Sequence, residues 1–75
     1  MRIEEKASVA GSVLAVLEGG PTTLSEVLRT QTVSAFTEKI KIPHYGGYEH
    51  FERTNEFLEN SHIIFRWMMR TEVAE

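Results

Sequence analysis

Residues 39–53 constrain the fold of this chain more than any other stretch. Ile40, Ile42 and His44 alternate with Lys39, Lys41 and Pro43 up to the pair Gly46-Gly47, beyond which Glu49, His50, Phe51 and Glu52 follow. Alternating runs on either side of a glycine pair spell a β-hairpin. Centred on the glycines, the hairpin sets His44 against Glu49, Pro43 against His50, Ile42 against Phe51 and Lys41 against Glu52. Apolar then faces apolar and lysine faces glutamate, as cross-strand pairing prefers. Pro43 selects the loop: a two-residue turn on the glycines makes Pro43 and His50 a hydrogen-bonded pair to which proline cannot donate. A four-residue loop over 45–48 keeps the register and leaves Pro43 non-bonded. Its missing N–H then points away from the partner strand, so the strand that carries it is expected at a sheet edge.

An isolated hairpin is marginal in water, so the remaining segments must supply further strands. Residues 1–17 fit two periods. Ile3, Ala7, Ala10, Leu14 and Leu17 follow helical spacing, while Val9, Gly11, Val13, Ala15 and Leu17 follow strand spacing. Gly11 costs a helix about 1 kcal/mol relative to alanine. The density of valine on both faces suits a strand over 13–18 covered on both sides, with residues 1–7 a mobile lead-in. Gly19-Gly20-Pro21 breaks that strand, and Thr23-Leu24-Ser25-Glu26 has capping-box spacing ahead of Val27 and Leu28, which predicts a short helix. Gln31 to Phe36 reads as a strand. The connection over 54–61 holds Phe57 and Leu58, which are expected to fold onto the core. His62 to Val73 forms the last strand, with Ile63, Phe65, Trp67 and Met69 on its buried face and Ile64 and Met68 adding apolar surface to the other. The expected fold is mainly β, a small α+β domain over residues 1–75. It is an antiparallel curled sheet of four or five strands with one short helix after the first strand.

Composition limits the chemistry. The chain has 75 residues, 41% of them hydrophobic, and no cysteine. Ordering it costs on the order of 110 kcal/mol, at about 1.5 kcal/mol per residue, which such a core only just offsets. A homodimer or higher oligomer is therefore expected. All eleven acidic residues are Glu. Without Asp or Cys there is no Asp-based triad, EF-hand loop, aspartyl dyad, thiolate nucleophile or Cys-ligated zinc. A net charge of -3 and a pI near 5.6 argue against a nucleic-acid partner. Glu4, Glu5, Ser8, Gly11, Ser12 and Glu18 spoil a signal peptide, and no apolar run reaches the ~20 residues of a membrane span, so a cytoplasmic location is expected.

The chemical candidates gather at the hairpin mouth. His44 beside Glu49 can serve as a general acid/base pair or simply as an ion pair that closes the loop. Tyr45, Tyr48, His50 and Trp67 are candidate ligand or partner contacts. His44, His50 and His62 lack metal-ligand spacing, and His50 falls on the face opposite His44, so neither metal nor cofactor is expected. The order strand, Gly-Gly-Pro, Thr-Thr, helix over 13–28 mimics a phosphate-binding turn but lacks the P-loop lysine. Aromatic residues interleave with Lys39, Lys41, Arg53, Arg66 and Arg70 as in single-strand nucleic-acid binders, although Glu38, Glu49, Glu52 and Glu56 nearly neutralise them.

The segments 17–21, Glu38 to Glu52, Phe65-Arg66-Trp67 and Arg70 to Glu75 resemble a family of short actinomycete proteins of unknown function, often encoded near natural-product biosynthesis genes. The similarity spans about residues 14–75. It implies a bacterial protein in a secondary-metabolism setting and brings no catalytic residues. The leading functional expectation is a non-catalytic binding or accessory protein, acting through self-association and contact with a biosynthetic enzyme or a hydrophobic small molecule. A small cyclase or isomerase using His44 and Glu49 is the alternative, and a nucleic-acid-binding regulator is the third.

Overall fold

The computed structural model describes residues 11–73. Its strands are β1 (Ser12–Glu18), β2 (Thr30–Ser34), β3 (Lys39–His44), β4 (Gly47–Phe57) and β5 (Ile63–Glu72), in one sheet of order β2-β1-β5-β4-β3. The expected lead-in over residues 1–7 lies outside the described residues. From residue 11 onward the strand period prevails over the helical one.

Two expectations are corrected at the level of elements. The sheet is mixed, because β1 runs parallel to β5, with Ala15 against Ile63 and Leu17 against Phe65, while every other pair is antiparallel. The expected helix shrinks to a 3-10 turn, Glu26–Arg29, whose N-cap Ser25 makes no side-chain cap bond. The capping box does not form. The Thr23 hydroxyl instead sits 3.1 Å from His44 Nε2, in another part of the fold, and a tertiary partner outweighs a local motif worth about 1 kcal/mol.

The hairpin is real, but its register slips by two residues. His44 pairs with Gly47, Pro43 with Tyr48, Ile42 with Glu49 and Ile40 with Phe51, leaving a two-residue turn of Tyr45 and Gly46. Both turn residues have positive φ, 47° and 76°, as the right-twisting type I′ turn requires. This turn leaves Pro43 in a non-bonded pair, so the same proline constraint is met by a tighter loop. β3 is indeed an edge strand. Because the slip is even, it preserves which side chains share a face, and His44 and Glu49 remain together.

On β5 strict alternation fails. Phe51 pairs with Trp67 but His50 pairs with Met69, a one-residue bulge at Met68. Beyond the bulge the faces exchange. Met69, expected in the core, is half exposed, and Arg70 takes the inner face opposite Glu49. Phe57 and Leu58 do not reach the core either: β4 continues to Phe57, which is 61% exposed.

The core consists of Ala15, Leu17, Leu24, Ile42, Phe51, Ile63 and Phe65, with Val13, Val33, Ile40 and Trp67 packed around it. Residues from both edge strands converge on it, so the sheet is curled as expected. Connectivity demands the curl. Five strands laid flat put β2 and β3 roughly 19 Å apart, whereas the link from Ser34 to Lys39 spans about 17 Å only when fully extended. It is not extended: the Thr37 N–H donates to Ser34 O.

Candidate functional site

Glu49 is the organising residue of the inner face near the hairpin. It is 1% exposed, and a buried carboxylate must be matched by donors. Trp67 Nε1 donates to Oε1 at 2.8 Å, while Arg70 Nη1, at 2.7 Å, and His44 Nδ1, at 2.9 Å, converge on Oε2. Burial pushes this carboxyl up, but the bonds from Trp67, Arg70 and His44 together outweigh it and hold the group below the usual carboxylate range. Arg70 also donates to His44 O at 2.8 Å and Tyr45 O at 2.7 Å, fastening the turn to β5, and its Nε bonds Glu72 at 2.7 Å. Gly47 is required beside it, because a Cβ there would strike Thr71 O and the Arg70 guanidinium.

His44 has both ring nitrogens engaged. In the tautomer whose Nδ1–H donates to Glu49, Nε2 accepts from the Thr23 hydroxyl. The chain Thr23–His44–Glu49 thus has the hydrogen-bond polarity of a nucleophile, a base and an orienting carboxylate. Its carboxylate, however, is shared with Arg70.

Beside this network a groove of about 360 Å³ is lined by Gly20, Pro21, Glu49, Trp67 and Arg70. The β1–β2 connection forms one wall. Arg29 sets that connection in place by donating to Leu17 O, Gly19 O and Pro21 O at 2.9–3.1 Å. Gly20, at φ 82°, lies so close that a Cβ would fall 2.6 Å from Trp67 Cδ1. Only glycine gives this conformation together with this approach. On the turn that Arg70 fastens, Tyr45 stacks on His44 with centroids 4.3 Å apart, and it is 75% exposed.

The candidate contact residues divide between two faces. Trp67 lines the groove, and His44 and Tyr45 join it through Glu49 and Arg70, whereas Tyr48 and His50 lie on the outer face. There Lys41 Nζ sits 4.6 Å over the Tyr48 ring and His50 Nε2 lies 2.8 Å from Thr71 Oγ1. The would-be phosphate turn borders a second groove, where Glu18 and Glu26 accompany an Arg29 already committed to carbonyls. The other arginines among the described residues, apart from Arg70, are also engaged: Arg53 with Ala35 O and Thr37 O, and Arg66 with Glu18 and Glu56. Among the described residues no three His or Glu side chains are placed to hold a metal, and no helix is long and apolar enough to cross a membrane.

Sequence reasoning missed the roles of Thr23 and Arg70 and the burial of Glu49. The signal for Arg70 was the doublet Met68-Met69, which breaks period two. Thr23 left no signal, because its partner is 21 residues away. No curated protein and no solved structure matches the chain. One family model, described as a family of unknown function (DUF5988), matches residues 9–75. That match covers nearly all of the sequence, and the chain belongs to the DUF5988 family of unknown function.

Proposed function

We propose that this protein is a non-catalytic binding or accessory protein, cytoplasmic and acting in bacterial secondary metabolism, that works through self-association and contact with a biosynthetic partner or a hydrophobic ligand. The observation that carries the reading is the saturation of Glu49. Three side chains satisfy one buried carboxylate, both nitrogens of His44 are bonded, and the groove presents Trp67 and Pro21 rather than a free acid or base. An apolar wall stiffened by a satisfied polar network suits binding. Tyr45 adds to this reading. A bulky residue at φ 47° costs of order 1–3 kcal/mol, and such strain gathers at ligand clamps. The metabolic setting rests on the resemblance to short actinomycete proteins. The arginines bound to carbonyls and glutamates weigh against the nucleic-acid reading.

Trp67 is the chain's single tryptophan, so its emission reports the groove. Titration with 8-anilinonaphthalene-1-sulfonate should quench it saturably, and Pro21→Ser should weaken that binding several-fold with the fold intact. A flat Trp67 signal in the wild type would overturn the groove as a hydrophobic site. The second reading, catalysis, is favoured by one observation, the relay from Thr23 through His44 to Glu49. p-Nitrophenyl acetate tests it. Acetylation of Thr23, seen by mass spectrometry and absent in His44→Ala, would replace the binding proposal with an enzyme.

A further inference from the structure

The two edges of the sheet are built differently, and the difference identifies a partner. On β3 the Arg53 N–H donates to Glu38 O, which fixes the parity of the β3–β4 ladder. Glu38, Ile40, Ile42 and His44 bond inward to β4, so the main-chain groups that face away belong to Lys39, Lys41 and Pro43. Two charged residues and one without an N–H blunt that edge, as proteins commonly do. On β2 the Ala35 N–H donates to Gly11 O, so Gln31 and Val33 bond β1 and the outward groups belong to Thr30, Thr32 and Ser34. These are neutral, exposed and free of proline. No described strand pairs with that side of β2. Exposed apolar side chains flank both ends of the strand: Val27, 80% exposed, with Leu28 before it, and Phe36, 87% exposed, after it.

Resting on the self-association in the proposed function, we infer that the outer edge of β2 is a dimer interface whose occupant is β2 of a second copy of this chain, paired antiparallel across a two-fold axis at Thr32. The register follows from using the whole strand. Thr32 meets Thr32 of the second copy and exchanges both main-chain bonds with it, and each Ser34 N–H donates to Thr30 O of the other copy. Ser34 O keeps its bond from the Thr37 N–H. The antiparallel pairing brings the end of β2 that carries Phe36 in each copy beside the end that carries Val27 and Leu28 in the other. Exposed apolar groups at both ends are therefore self-complementary, as a two-fold interface requires. The blunted β3 edge prevents head-to-tail addition, so the assembly closes at two copies.

A single cysteine tests the register, since the chain has none of its own. Residues in such a bonded pair have Cα atoms about 5.5 Å apart, within disulfide reach. Thr32→Cys should form a covalent dimer in air roughly tenfold faster or more than Lys41→Cys on the other edge. Sedimentation at micromolar concentration should give a dimer for the wild type. Thr32→Lys, which sets like charges across the axis, should weaken association roughly tenfold or more, and Phe36→Ser should weaken it too. In both variants Trp67 should still be quenched by the dye, which shows that the fold and the groove survive. A wild-type monomer throughout would overturn both the interface and self-association. A dimer that persists in Thr32→Lys without rapid Thr32→Cys cross-linking would overturn this interface alone and leave self-association standing.

Discussion

At the scale of single residues, Glu49 ties the stability of the domain to pH. Its carboxyl is pushed up by burial and pulled down further by Trp67, Arg70 and His44, so in the folded state it titrates below its unfolded value. The unfolded chain therefore takes up the proton more readily. The stabilisation is complete above the ordinary carboxylate range and is lost as pH falls through the folded value. Glu56 and Glu72 move the same way through hydrogen bonds from Arg66 and Arg70, so the contribution of Glu49 must be isolated by substitution. Urea midpoints measured from neutral pH downward should fall more steeply for the wild type than for Glu49→Gln, and parallel curves would contradict the assignment. Trp67→Phe keeps the ring but removes the donor to Oε1, and should cost about 1–3 kcal/mol in the same assay. A loss under ~0.5 kcal/mol would mean that water takes the place of the indole N–H. The pairing of His44 with Glu49 was legible from the sequence, because alternation places both on one face in either register. The burial of Glu49 was not, since Arg70 and Trp67 lie more than fifteen residues away along the chain.

At the scale of elements, the hairpin and the β5 bulge show how local geometry assembles the site. Tyr45 sits where a type I′ turn favours Asn. Tyr45→Asn should therefore raise stability by up to about 1 kcal/mol, read as a higher urea midpoint. A destabilised Tyr45→Asn would show that stacking on His44 outweighs the backbone strain. The bulge allows a sharper test. Met68 is the unpaired residue between the Phe51–Trp67 and His50–Met69 pairs. Deleting it removes the extra residue without changing the face of either Trp67 or Arg70, so Arg70 should still reach Glu49. Deletion of Met68 should leave the Trp67 environment near native, whereas deletion of Arg66, within the regular ladder, should abolish folding. Similar damage from the two deletions would refute the bulge. Most of the strands were readable because they bury one face at period two. A bulge defeats that reading, since it changes the phase in mid-strand and shows only as two adjacent methionines.

At the scale of the whole molecule, topology rather than pattern determines what the sequence could reveal. Curling was foreseeable from the need of a small chain to enclose a core. The parallel contact of β1 with β5 was not, because 48 residues separate partners such as Ala15 and Ile63 and nothing local announces which strands will meet. Once β5 lies beside β1, β2 and β3 become opposite edges joined by the short link over 35–38, and the sheet can only curl. Arg53 secures that link from β4 by donating to Ala35 O at 2.7 Å and Thr37 O at 3.2 Å. Its role is therefore global closure, not a surface charge. Arg53→Met retains the aliphatic stem and removes both bonds, and hydrogen bonds from a charged donor contribute about 1.5–3 kcal/mol in total here. Urea denaturation of Arg53→Met should show a loss of that size, together with faster amide exchange along β2 and β3 than along β4 and β5. Uniform acceleration across the sheet would mean that the domain opens only as a unit, and a loss below ~0.5 kcal/mol would mean that curling is imposed by chain length and core packing without help from this clasp.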